Sequence, residues 1–119
     1  MLILVMHINH ASELVPKVKT TLRTVRDLEI KLLNQSVLLR GVNDDVHCLS
    51  ALSEALFALG IMPYYLNLLD RVKGAERFYV PDDEAEQIYR ELAAMTSGYM
   101  LPKLVRDTGE GGFKKIVGI

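Results

Sequence analysis

Ile30-Lys31-Leu32-Leu33-Asn34-Gln35-Ser36-Val37-Leu38-Leu39-Arg40 is the stretch that decides the fold. It reads as a strand, yet three polar residues, Asn34, Gln35 and Ser36, sit in its middle. A parallel strand covered on both faces is expected to be nearly all apolar. Successive side chains alternate between faces, so the polar triplet puts at least one amide or hydroxyl on each. Such groups cost free energy when buried without a partner, so the run demands hydrogen bonds or a ligand. The loop Gly41-Val42-Asn43-Asp44-Asp45 follows. Asp45 is placed to cap the next helix, the ordinary work of an aspartate there. Asp44 is left without a local task.

The pattern repeats outward from this strand. Val46 to Leu59 carries Leu49, Leu52, Leu56 and Leu59 on one helical stripe, with Gly60 as its stop. Cys48 and Met62 read as core residues. Ile61 to Leu69 is a further strand, with Tyr64, Tyr65 and Asn67 inside it and Asp70 at its end. After a long loop, Asp82 or Asp83 opens a helix to Thr96, striped by Ala85, Ile88, Leu92 and Met95, and Gly98 ends it. Met100 to Arg106 is the last strand.

Upstream, Leu2 to Asn9 is a continuous apolar strand ending in polar residues. His7 and Asn9 share a face with Ile3 and Val5. The end of such a strand is where an α/β barrel places its site, although hydrogen bonding to the next loop is the simpler use of both residues. Ala11 to Leu28 reads as a helix capped by Ser12, with Pro16 early and Leu14, Val18, Leu22 and Val25 as its stripe. The order β-α-β-α-β-α-β implies parallel strands with right-handed crossovers. Asn9, Asp44, Asp70 and Asp107 then all follow strand C-terminal ends, the edge at which such sheets bind ligands.

The last strand runs into Asp107-Thr108-Gly109-Glu110-Gly111-Gly112-Phe113-Lys114. Gly109, Gly111 and Gly112 let the backbone turn tightly or approach a ligand. Backbone N–H groups in such a loop can hold an anion, and Lys114 can form an imine with an aldehyde. Flexible glycine-rich tails are common, so the loop gains weight only from what surrounds it.

Composition bounds the class. The chain has 119 residues, half of them apolar, which suits one small domain or part of a larger one. A net charge of −1 gives no bulk attraction to nucleic acid or anionic membrane. No apolar run is long enough to span a bilayer, which gives the expectation of a soluble, cytoplasmic chain. Cys48 is the only cysteine. It excludes an internal disulfide, a cysteine-rich zinc site, and an iron–sulfur cluster carried by this chain alone.

MHINH at 6–10, LLNQSVLLRGVNDD at 32–45, PYYLNLLD at 63–70, SGYMLPKLVRD at 97–107 and the loop to Lys114 resemble the lysine 2,3-aminomutase family. These are radical S-adenosylmethionine enzymes that also use pyridoxal phosphate. The resemblance runs through essentially the whole chain. PYYLNLLDRVKGAERF looks most like the branch that makes (R)-β-lysine for elongation factor P; the free-lysine branch is the alternative, and the glycines before its lysine are closer to Gly111-Gly112. The resemblance implies an α/β fold, a parallel-sheet C-terminal part of a partial (β/α)6 barrel. Residues 1–119 would be one domain, with 107–119 as a glycine-rich pyridoxal phosphate loop and tail. It further implies that Lys114 forms the pyridoxal phosphate imine, and that Asp44 and Asp107 bind the amino groups of lysine. His7, Asn9 and Gln35 fall in motifs near the cofactors, as do Gly109, Gly111 and Gly112 beside Lys114.

The sequence also departs from the family. The cluster motif Cys-x3-Cys-x2-Cys is absent, as if the chain began after it. Asn67 stands where the protein-modifying branch usually has histidine, and Arg77 replaces another histidine. Lys115-Ile116 replaces an expected Thr-Pro, so a second lysine adjoins the first; spacing from Asp107 selects Lys114. The expectation is a C-terminal aminomutase fragment, inactive alone for want of a [4Fe–4S] cluster to cleave S-adenosylmethionine. Its partners would be lysine, free or on elongation factor P, and either a second copy or the missing N-terminal half. The alternatives are a non-catalytic remnant or amine-binding module, and a small α/β domain whose loop residues are only structural.

Overall fold

The computed structural model describes residues 2–70, 76–107 and 114–116, with 107 and 114–116 described for the backbone alone. Among them are strands β1 (Ile3–Met6), β2 (Lys31–Leu38), β3 (Ile61–Leu68), β4 (Lys103–Asp107) and β5 (Lys114–Ile116). Helices α1 (Pro16–Asp27), α2 (Val46–Ala58) and α3 (Asp82–Met95) connect the first four strands in turn. The sheet order is β1-β2-β3-β4-β5. β1 to β4 are parallel, and β5 returns antiparallel to β4.

Sequential parallel order carries a consequence. Right-handed crossovers that always step the same way lay every helix on one face of the sheet. The side chains agree. Leu32, Asn34, Ser36 and Leu38 of β2 are buried, while Leu33, Gln35 and Val37 between them are half-buried. Two apolar clusters fill the helix-covered side. Leu22, Leu52 and Leu56 pack with Leu32 and Ile61. Leu49, Ala85, Tyr89 and Leu92 pack with Leu38, Leu66, Leu68 and Leu104. The other face carries Val5, Leu33, Gln35, Val37 and Met62, and the described helices all lie away from it. Met62, read from sequence as core, is therefore 48% exposed. Cys48 is only partly buried.

Element ends differ from the sequence reading where proline and asparagine intervene. β1 stops at Met6 rather than Asn9, because the Asn34 side chain takes both backbone groups of Ile8. The expected Ala11 to Leu28 helix is a 3-10 turn at Ala11–Glu13 followed by α1. Pro16 disfavours helical backbone at the residue before it, and Val15 is extended at φ −69°, ψ 160°. The cap is not Ser12. His10 Nδ1 accepts from the Ser12 N–H, and the Glu13 carboxylate accepts from the N–H groups of Asn9 and His10. In β3, Tyr64 is an extra residue between the pairs Asn34/Pro63 and Gln35/Tyr65, a bulge beside a proline that has no N–H to donate. Gly60, at φ +77°, ends α2 as its sequence position implies. α3 instead ends at Met95 with Thr96 extended, so Gly98 is not its stop. Met95 is 48% exposed, and Tyr89 takes its place in the core. The last strand starts at Lys103, after Pro102, and not at Met100.

Candidate functional site

Parallel strands bring the segments after β1, β2 and β3, and the end of β4, to one edge of the sheet, so Asn9, Asp44, Asp70 and Asp107 share that rim. An asparagine network builds it. Asn34 Oδ1 accepts from Ile8 N (2.9 Å) and its Nδ2 donates to Ile8 O (3.0 Å), so one side chain mimics a strand for the residue after β1. Asn9 Oδ1 accepts from Val37 N at 2.9 Å. Asn43, 1% exposed, donates through Nδ2 to the carbonyls of Asn9 (2.8 Å) and Val37 (2.9 Å), and its Oδ1 accepts from Leu39 N (2.8 Å). The polar residues of the β2 region are thus answered chiefly by backbone, which is how buried polar groups are normally satisfied.

Asn9, a sequence candidate for cofactor contact, has its amide oxygen committed to β2. His7 is exposed just beyond β1. Gln35 lies half-buried on the open face, opposite Tyr65 in the register. Tyr65 titrates above the usual tyrosine range because its hydroxyl is hydrogen-bonded to Tyr64, with burial and the Tyr64 charge adding to the effect. The two rings lie 4.3 Å apart.

Asp44 is held from two sides. Its Oδ1 accepts from Gly41 N (3.0 Å) and its Oδ2 from Arg40 Nη1 (3.1 Å). The same guanidinium forks onto Glu84 of α3, Nη1 to Oε2 at 2.5 Å and Nη2 to Oε1 at 3.0 Å. Glu84's hydrogen bonds are the main cause that raises the Arg40 pKa further, against some burial, with the Glu84 and Asp44 charges helping. Asp45, as expected, caps α2 by accepting from His47 N at 2.7 Å.

The second arginine of the rim, Arg106 of β4, is paired with Asp70 (3.5 Å) and with Asp82 of the first turn of α3. It is engaged by two carboxylates. Arg106 reads from sequence as a candidate cation beside Lys114, whereas Arg40 had only its i, i+4 spacing from Asp44 to mark it. Asn43 left no sequence signal beyond a polar residue before a helix cap.

Asp107 ends β4 and its cross-strand partner is Lys114, the first residue of β5. Lys115 pairs in the same register with Arg106. Gly109, Gly111 and Gly112 lie outside the described residues. Among the described residues, no group of three or more His, Cys, Asp or Glu side chains could hold a metal ion. Likewise, no described helix is long and apolar enough to cross a membrane.

The class defined by this fold and rim is a singly wound parallel α/β segment with a carboxylate- and lysine-bearing edge. Sequence comparison narrows it. The chain is 53% identical over 108 residues to the L-lysine 2,3-aminomutase of Escherichia coli (strain K12), covering 91% of this chain and 32% of that relative. It is 50% identical to the Haemophilus influenzae L-lysine 2,3-aminomutase, covering 88% and 31%, and 38% identical to that of Clostridium subterminale, covering 91% and 26%. No family model matches the chain. The chain belongs to the lysine 2,3-aminomutase family as a segment, spanning about a third of the length of the first two curated relatives.

Proposed function

We propose that these residues form the amine-binding and cofactor-anchoring rim of a lysine 2,3-aminomutase, an isomerase that turns L-lysine into β-lysine. The observation that carries this reading is the placement of Lys114 directly across from Asp107, at the sheet edge that also presents Asp44. Asp44 and Asp107 would bind the amino groups of lysine, fixing the substrate chain across the rim. Lys114 would anchor pyridoxal phosphate, with backbone N–H groups of Gly109, Gly111 and Gly112 toward its phosphate. When bound, that cofactor supplies the conjugated system through which an amino group can migrate. Its lysine must lose a proton to react. Free lysine has a pKa of roughly 10.4, so desolvation or a nearby cation has to assist. Arg106 is committed to Asp70 and Asp82, which leaves desolvation or the neighbouring Lys115 as the cause.

The singly wound sheet and its open face support a further part of the reading. They suit a section of a partial (β/α)6 barrel, whose interior would lie over Val5, Leu33, Gln35, Val37 and Met62. His7 and Gln35 would line that interior. The iron–sulfur cluster does not fit these residues, since Cys48 is the only cysteine and sits on α2. Reductive cleavage of S-adenosylmethionine is therefore assigned to family sequence outside the 119 residues, and the isolated chain is taken to be inactive. Lysine, free or on elongation factor P, would be the substrate, and the cytoplasm the compartment. The lone cysteine also supports a second reading, a non-catalytic amine-binding module.

The test is an anaerobic assay of β-lysine formation, run with the chain alone and with a cluster-bearing N-terminal segment of the E. coli relative. Product only in the combined sample, lost in Asp44→Ala and Lys114→Ala, is the expected result. After reconstitution with iron and sulfide the chain alone should stay colourless. Absence of product in the combination, with lysine still bound by the chain, would favour the binding module.

A further inference from the structure

One cation sits between two carboxylates at Asp44, and its geometry is unequal. The fork of Arg40 faces Glu84 with both Nη atoms, while Asp44 receives one bond from the shared Nη1. A fork-on-carboxylate pair is the stronger of the two arrangements. The Arg40 backbone N–H also donates to Phe78 O at 2.8 Å, tying the end of β2 to the segment before α3. The Asp44 side chain is 22% exposed, so its charge is felt at the rim and not dissipated in bulk water.

The geometry points to Glu84 as a positioning residue that keeps Asp44 available to a cation. Glu84 occupies the guanidinium of Arg40, and the cluster of Arg40, Asp44 and Glu84 is left with one net negative charge. Asp44, held by Gly41 N, presents that charge. Without Glu84, the fork of Arg40 turns fully onto Asp44, and the pair becomes a closed, neutral ion pair with nothing to offer an ammonium group. This inference rests on the reading of Asp44 as an amine-binding residue and adds a residue from α3 to it. It inverts the usual expectation for an ion-pair cluster: removing Arg40 together with Glu84 should repair what removing Glu84 alone damages.

The experiment uses the full 119-residue chain, isotope-labelled, with two probes. The first is L-lysine, titrated while the amide resonances of Gly41 and Asp44 are followed. The second is a pair of nitroxides, one cationic and one anionic, whose relaxation of the same amide protons reports local potential. Glu84→Gln should weaken lysine binding about tenfold, on the order of one charge-assisted hydrogen bond. It should also reduce the preference for the cationic nitroxide. Arg40→Gln with Glu84→Gln should restore both. Asp83→Asn removes a charge from the same helix turn without releasing Arg40 and should change either probe by less than twofold; thermal melting checks that each variant is folded. A double variant no better than Glu84→Gln, or an Asp83→Asn effect as large as that of Glu84→Gln, overturns the inference. If the nitroxide pattern appears while lysine does not bind even the unaltered chain, the charge arrangement stands and the amine-site reading fails.

Discussion

Asn34 binds both the N–H and the C=O of Ile8, and so continues the sheet by one residue with a side chain in place of a strand. Both partners are buried, Asn34 at 2% and Ile8 at 6% exposure. Truncation would strand two backbone groups in a dry environment. Asn34→Ala should cost about 2–4 kcal/mol, since each unsatisfied buried group costs roughly 1–3. Asn34→Asp should also destabilise, because a carboxylate oxygen would face the Ile8 carbonyl. Urea unfolding of the three proteins tests this; a loss of stability below about 1 kcal/mol in Asn34→Ala would contradict the strand-mimic role.

Tyr89 gives a prediction in pH. Its hydroxyl donates to Pro102 O at 2.5 Å. Burial raises its pKa above the ordinary tyrosine value, partly offset by a hydrogen bond from the Leu104 backbone. A folded-state pKa above the unfolded one favours the protonated form in the fold. That stability is complete below the unfolded value of about 10 and drains away as pH rises through the folded value. Tyr89→Phe should lose roughly 1–2 kcal/mol at neutral pH and show a flatter decline above pH 10. Identical alkaline melting curves for the two proteins would be incompatible with this assignment.

Lys114 and Lys115 are separable by chemistry. Pyridoxal phosphate fixed with borohydride should label Lys114, the cross-strand register partner of Asp107. Peptide mapping should find the label lost in Lys114→Ala and kept in Lys115→Ala. Even labelling of all lysines would remove Lys114 from the site.

β1 forms one edge of the sheet, and Leu2, Ile3, Leu4 and Val5 are 70%, 56%, 41% and 39% exposed. An apolar edge with unpaired backbone groups invites association. The purified chain should sediment above monomer mass at high concentration, through this edge. Ile3→Lys with Val5→Lys should return it toward monomer, because charges on an edge strand oppose pairing. A monomeric wild-type chain that melts cooperatively would dispose of the idea.

The strand–helix alternation was legible in the residues, because burial on one helix face imposes a period that apolar spacing records. Leu49, Leu52, Leu56 and Leu59 mark α2 without any help from the rest of the chain, and all four are buried. Asp45 as a cap was legible for the same reason: capping is settled within three residues. The polar triplet of β2 announced only that partners were needed. Tertiary structure decided that Asn34 and Asn9 find theirs in backbone between 26 and 28 residues away, contacts to which no local pattern corresponds. It also decided what the rim aspartates face. Asp44 had no local partner in the residue pattern, yet Glu84, 44 residues from Arg40 in the chain, competes for the same guanidinium. Ion pairs of this kind depend on where a helix docks, and local sequence carries the charges but not the docking. That Lys114, and not Lys115, is the register partner of Asp107 was likewise set by the pairing of β5 with β4, since a slip of one residue would exchange the two.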